Sequence, residues 1–197
     1  MKLYDISQEV FSSAVYPGDP TPQKEILCAI DRGDLYNLTA FSMCAHNGTH
    51  IDAPYHFIED GKTVDRLELS KTVGYAFVVE CAGDVTAADA TRILQKARAA
   101  NPQAAKRILV KGDAVISLAA AEIFAQEGID LLGTELQTVG PADAPMAVHH
   151  ALLSRDTVLL EGIRLGDVPA GIYFLCAAPL SLSGADGAPC RAVLIDF

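Results

Sequence analysis

The stretch VGYAFVVECAGDVTAADATRILQKARAANPQAAKRILVKGDAVISLAAAEIFAQEGIDLL, Val73–Leu132, switches repeatedly between two kinds of apolar patterning. Runs of β-branched and other apolar residues at Val73–Cys81, Arg107–Val110 and Asp130–Leu132 predict strands. Two segments with helix start and stop signals separate them. Thr86 and Asp89 have capping-box spacing at the head of a helix over Thr86–Ala99, which stops before Asn101-Pro102. Ser117 is a suitable N-cap for a helix over Ser117–Gln126, and Gly128 ends it. Helix and strand in alternation predict an α/β fold, with helices packed on a sheet.

Working outward, further strands are predicted at Thr157–Leu160, Gly171–Ala177 and Arg191–Ile195. Strand-rich ends around an alternating middle predict an α/β domain built on a mixed sheet, either open or partly closed into a barrel. Asp186-Gly187 lies between two strand-like runs and predicts a hairpin. No repeat, low-complexity tract or Gly/Ser/Pro linker divides the chain, so a single domain over residues 1–197 is expected. Proline and glycine cluster at Tyr16–Pro20, Asn47–Pro54 and Gly140–Pro145, three loops able to converge on one pocket wall.

Composition narrows the function. The 197 residues are 50% apolar and 20% charged, which excludes general disorder. A chain of this size buries roughly 70% of its unfolded surface, enough for a core without staples. The net charge is −10 and basic residues are scattered, which argues against a nucleic-acid partner. No apolar run approaches the ~20 residues that span a bilayer, and the stretch MKLYDISQEV lacks a sustained apolar segment. A cytoplasmic protein without a membrane partner is expected. The five cysteines are odd in number and contain no C-x-x-C pair, which argues against a disulfide framework or a cysteine-ligated zinc.

All five histidines fall in two short segments, AHNGTHIDAPYHF and AVHHALL. Imidazole is the commonest transition-metal ligand, and its crowding with carboxylates is how a metal site shows in sequence. His46, His50, Asp52 and His56 lie at even intervals, so an extended chain would project them from one face. A helical H-x-x-x-H is disfavoured by Gly48 and Pro54, which would instead bend the segment around whatever the ligands hold. The pair His149-His150 could belong to the same site or simply cap a helical turn. Glu161 ends the apolar run TVLL; it reads as a strand-end carboxylate in solvent or as a ligand, and chemistry alone does not choose it over Glu135 or Asp143.

The run His46-Asn47-Gly48-Thr49-His50-Ile51-Asp52-Ala53-Pro54-Tyr55-His56 fits H-x-G-T-H-x-D-x-P-x-H. It resembles the motif of the cyclase family of metal-dependent hydrolases, whose best-known branch is bacterial kynurenine formamidase. The resemblance continues through Tyr4-Asp5-Ile6-Ser7, Tyr16-Pro17-Gly18-Asp19, Leu131-Leu132-Gly133-Thr134, His149–Leu153, Leu160-Glu161-Gly162 and Gly184–Ala192. It implies a mixed, partly barrel-like sheet flanked by helices, of the swivelling β/α type. It also implies a centre of two divalent ions, usually zinc and in some members manganese. By resemblance His46, His50 and Asp52 would hold the first ion and His149 the second, with Asp52 and Glu161 shared between them. The resemblance also implies His149 rather than His150, since in the family the ligand precedes the acid by twelve positions. His56 would be the catalytic acid/base, and Tyr16 would contact substrate at a position where kynurenine formamidases carry Trp.

The chemistry implied is hydrolysis of a small-molecule amide. A bound metal lowers the pKa of its water toward ~7 and polarises the substrate carbonyl, while a neighbouring histidine moves the proton. N-formylkynurenine, giving formate and the free amine, is the leading substrate. The loss of Trp at Tyr16 equally suits a lactam such as isatin, a cyclic imide or a polyketide cyclised by a related enzyme. A metal-binding protein without turnover is the reading from another class. Relatives commonly form homodimers or higher homo-oligomers, and the same is expected here.

Overall fold

A computed structural model describes all residues, 1–197. In its first half lie β1 (Lys2–Asp5), β2 (Gln23–Cys28), β3 (Leu38–Ser42), β4 (His50–Asp52), β5 (Val73–Glu80), β6 (Gly83–Val85) and α1 (Ala87–Ala100). The second half supplies β7 (Arg107–Lys111), β8 (Ala114–Ile116), α2 (Leu118–Gln126), β9 (Leu131–Thr134), α3 (Met146–Leu153), β10 (Val158–Glu161), β11 (Gly171–Cys176), β12 (Gly187–Pro189) and β13 (Val193–Asp196).

Nine strands form one mixed sheet in the order β1-β13-β11-β5-β7-β9-β10-β4-β12, curled into a half-barrel. Its centre, β5-β7-β9-β10, is parallel, because α1, α2 and α3 each carry the chain back between successive members. Antiparallel strands flank it on both sides: β11, β13 and β1 beyond β5, and β4 then β12 beyond β10. Two small ribbons, β2-β3 and β6-β8, stand apart from it.

The strand period of two sorts the core into layers. On β7, Ile108 and Val110 face the helices while Leu109 faces the opposite side; on β10, Leu159 and then Val158 and Leu160 divide in the same way. The helices meet that first face along stripes at helical spacing, Ala90, Ile93, Leu94 and Ala97 on α1 and Ala120, Ala121, Phe124 and Ala125 on α2. Their starts follow the sequence signals. Thr86 Oγ1 accepts from Asp89 N–H at 3.2 Å while Asp89 Oδ2 accepts from Thr86 N–H at 3.0 Å, and the Ser117 hydroxyl caps Ala120 N–H at 3.2 Å. The opposite face buries Ile51, Leu109, Leu160, Leu175 and Leu194.

The predicted hairpin at Asp186-Gly187 does not form. Neither residue has the positive φ that a two-residue hairpin turn needs, and Gly187 instead opens β12, which pairs with the distant β4. The segment from His46 to His56 is not one extended run: only His50–Asp52 is strand, with a turn before it and a 3-10 turn at Pro54–His56 after it. Gly48 at φ 66° and Pro54 make those two bends. The histidine pair lies within the eight-residue helix α3 rather than capping a turn. No helix is long and apolar enough to cross a membrane.

Candidate metal centre

Strand alternation on β4 turns Ile51 into the core and sets His50 and Asp52 together on the other side. Strand β10 pairs with β4 so that Glu161 lies opposite His50, at the end of a fully buried run. Helix α3 then adds His149, which faces inward, while His150 is exposed. Thr49 locks these pieces: its hydroxyl donates to the Gly162 carbonyl at 2.8 Å and accepts from Gln8 N–H at 2.9 Å.

The side chains converge. Asp52 Oδ1 lies 2.8 Å from His46 Nδ1 and 3.2 Å from His50 Nε2, while Asp52 Oδ2 lies 3.7 Å from His149 Nε2. Glu161 Oε1 is 3.3 Å from His149 Nε2, and Glu161 Oε2 is 3.6 Å from His50 Nε2. Three sets of ligand-type atoms result, His46-His50-Asp52, Asp52-His149-Glu161 and the less buried His46-His56-Asp186, with Asp52 common to the first two. Backbone acceptors fix the rings: His50 Nδ1 donates to the Gly48 carbonyl at 3.1 Å and His149 Nδ1 to the Pro145 carbonyl at 2.9 Å, which leaves each Nε2 for the cluster. Glu161 Oε1 also accepts from Val139 N–H at 2.7 Å. Of the alternative acids, Glu135 accepts two backbone N–H groups, from Gly112 and Leu165, and Asp143 is exposed.

The electrostatics are those of imidazoles held among buried carboxylates. Burial opposes charge on His46, but the hydrogen bonds and charges of Asp52 and Asp186 outweigh it and push its pKa up to about 9. Burial likewise opposes charge on His50 and His149, and Asp52 and Glu161 respectively raise them. Asp52 is fully buried, yet His46 and His50 hold it well below the usual carboxylate range. His56 goes the other way, lowered by burial and by the neighbouring His46.

A cleft of about 410 Å³ opens onto this cluster. All three Pro/Gly loops reach it, through Tyr16 and Asp19, through His50, and through Pro145. His56 lies in the wall with its ring stacked on His46, centroids 4.0 Å apart. Tyr16 lines the same cleft, its hydroxyl 3.5 Å from the Ala142 carbonyl. Sequence reasoning missed Phe57, stacked on His149 at 4.7 Å, and Asp186, which accepts from both His46 and His56. Asp186 carried a signal in the Gly184–Ala192 segment, but its Asp-Gly pair reads locally as a turn.

Residues 4–141 match the family described as putative cyclase. The kynurenine formamidase of Salinibacter ruber is 36% identical, covering 100% of this chain and 98% of its own length. That of Bacillus cytotoxicus is 34% identical over 96% of this chain and 95% of its own. A solved structure described as a predicted metal-dependent hydrolase from Bacillus stearothermophilus superposes with TM-score 0.79 at 27% identity, covering 98% of this chain and 97% of that one. A family match over most of the chain and relatives of this identity along its whole length lead to one conclusion: the chain belongs to the cyclase family.

Proposed function

We propose that this protein hydrolyses the C–N bond of a small non-peptide amide, with aryl formamides as its substrate class and N-formylkynurenine as the leading member. The products would be formate and the free aromatic amine. The observation that carries the reading is the buried convergence of His50, Asp52, His149 and Glu161 at the floor of an open cleft. Kynurenine formamidases that are similar over the full chain support the substrate class.

The cluster fits divalent cations. Asp52 Oδ2 is buried without a hydrogen-bond partner, a costly state that an ion among these imidazoles and carboxylates would relieve. We assign two ions, one to His46, His50 and Asp52 and one to His149, with Asp52 and Glu161 shared between them. Zn²⁺ is the expected metal, and Mn²⁺ suits the same nitrogen and oxygen donors. When bound, such ions acidify a coordinated water and polarise the amide carbonyl.

The chain's own groups do the rest. His56 enters neutral at pH 7, since burial holds its pKa below the ordinary imidazole value. It takes one proton from the attacking water as the C–O bond forms and delivers it to the leaving nitrogen as the C–N bond breaks. Tyr16 and Phe57 offer aromatic surface for the substrate ring. Tyr16 in place of Trp also favours a second reading, a lactam such as isatin, a cyclic imide or a polyketide as the molecule acted on. The ribbon β2-β3 presents Ile26, Leu27, Leu38 and Phe41 outward, which supports a homodimer as the working state. The free cysteines suit a reducing cytoplasm.

The test is metal analysis of the purified protein, then rates on N-formylkynurenine, isatin and N-formylaniline with and without a chelator. Full activity after verified metal removal would overturn the metal-dependent reading, and a strong preference for isatin would replace the formamide by the lactam.

A further inference from the structure

Asp186 lies in the loop that enters β12, 140 residues from His46 and 130 from His56 in the chain. A single oxygen, Oδ2, accepts from both rings: from His46 Nε2 at 2.8 Å and from His56 Nδ1 at 3.0 Å. Backbone bonds anchor the loop that carries it. Ala53 N–H donates to the Asp186 carbonyl and Val64 N–H to the Ala185 carbonyl, each at 2.9 Å. Gly187 lets the loop close on the site, since a Cβ there would stand 2.7 Å from His46 Cε1 and from the Ile51 carbonyl oxygen. Asp186 forms a third, less buried set with His46 and His56 and lies outside the two sets that share Asp52.

We propose that Asp186 is a positioning residue that fixes the tautomer and ring orientation of His46 and His56 together. The proposal rests on the reading above, in which His46 is a metal ligand and His56 the acid/base. A neutral imidazole carries one N–H. With that hydrogen on Nε2 of His46 and donated to Asp186, the Nδ1 lone pair faces Asp52, 2.8 Å away, on the side where a cation would be held. With the hydrogen on Nδ1 of His56, the lone pair sits on Nε2, ready to take a proton from water. In the opposite tautomer His56 would present an N–H where a base is needed. The carboxylate also stabilises the imidazolium formed once the proton has moved, as orienting acids do behind other histidine bases. Sharing one oxygen ties the alignment of the ligand to that of the base.

The experiment compares zinc-loaded wild type, D186A and D186N by steady-state kinetics and by imidazole ¹⁵N NMR. For D186A, kcat falls about 10- to 100-fold with KM moved less than about threefold, the range seen when a ligand's carboxylate partner is removed. Wild-type spectra place the hydrogen on His56 Nδ1 and His46 Nε2, and D186A shows His56 redistributed between tautomers. D186N keeps an oxygen acceptor, so it holds the wild-type tautomers and recovers part of kcat. Wild-type spectra with the hydrogen on His56 Nε2 overturn the proposal whether or not a variant folds, and so does D186A with unaltered tautomers or unaltered kcat. Should the tautomers redistribute in D186A while wild type turns over none of the amides, the positioning role stands and the hydrolase reading falls.

Discussion

Replacing Glu161 by Gln removes one of the two carboxylates shared by the proposed ions while sparing the fold. Glutamine keeps an oxygen to accept the Val139 N–H, which Glu161 binds at 2.7 Å, so no buried backbone donor is orphaned. What changes is the charge facing His149 at 3.3 Å and His50 at 3.6 Å. At free zinc 1,000 times its dissociation constant, one ion stabilises the folded state by about 4.1 kcal/mol. Weakening affinity ~100-fold, the upper end of what removing even an outer partner costs, leaves about 1.4 kcal/mol. At 2–4 °C per kcal/mol for a chain of this size, each zinc ion raises the wild-type melting temperature by roughly 8–16 °C and that of E161Q by roughly 3–6 °C. Thermal unfolding followed by circular dichroism, at fixed free zinc and again with a chelator, measures both increments. The control is E135Q, whose carboxylate binds the Gly112 and Leu165 N–H groups and whose zinc increment matches wild type. Equal increments for E161Q and wild type would refute the reasoning.

His56→Ala keeps its metal and loses about 10²- to 10⁴-fold in kcat, checked by metal content and turnover side by side; loss of metal instead would make His56 a ligand. In the metal-free protein the His46 pKa is raised to about 9, so its stabilisation is complete below the ordinary value near 6.5 and is lost as pH rises through 9. Zinc must displace that proton at pH 7, so calorimetry in two buffers of different ionisation heat shows proton release and an affinity that climbs toward pH 9; no release would contradict the raised pKa. Phe124→Ala, at a fully buried ring on α2, destabilises by about 3–5 kcal/mol in urea titration, and a loss under 1 kcal/mol would show that the helix layer repacks.

Much of the fold is legible because its signals are local. Thr86 with Asp89 and Ser117 announce their helices within four residues, and β7, a buried run, and β5, a half-buried one, carry their own pattern. Where pairing decides, the local signal fails. Asp186-Gly187 has hairpin composition, yet β4 offers it an edge 135 residues away and wins. Helix α3 is short and apolar on most sides, so MAVHHALL shows little of the polar and apolar contrast that marks a helix. In the site, the run from His46 to His56 advertises itself through crowding. Glu161 does not, since its distinction from Glu135 is the antiparallel register that sets it opposite His50. Asp186 is further still from legible, because its meaning lies in two rings more than a hundred residues back.

Anomalous diffraction from zinc-loaded crystals at the zinc edge puts the central claim to the most direct trial. The account predicts two peaks flanking Asp52, one reached by His46 and His50 and the other by His149, with Glu161 against both. Crystals of active protein with no anomalous peak within reach of Asp52 and Glu161 would contradict it.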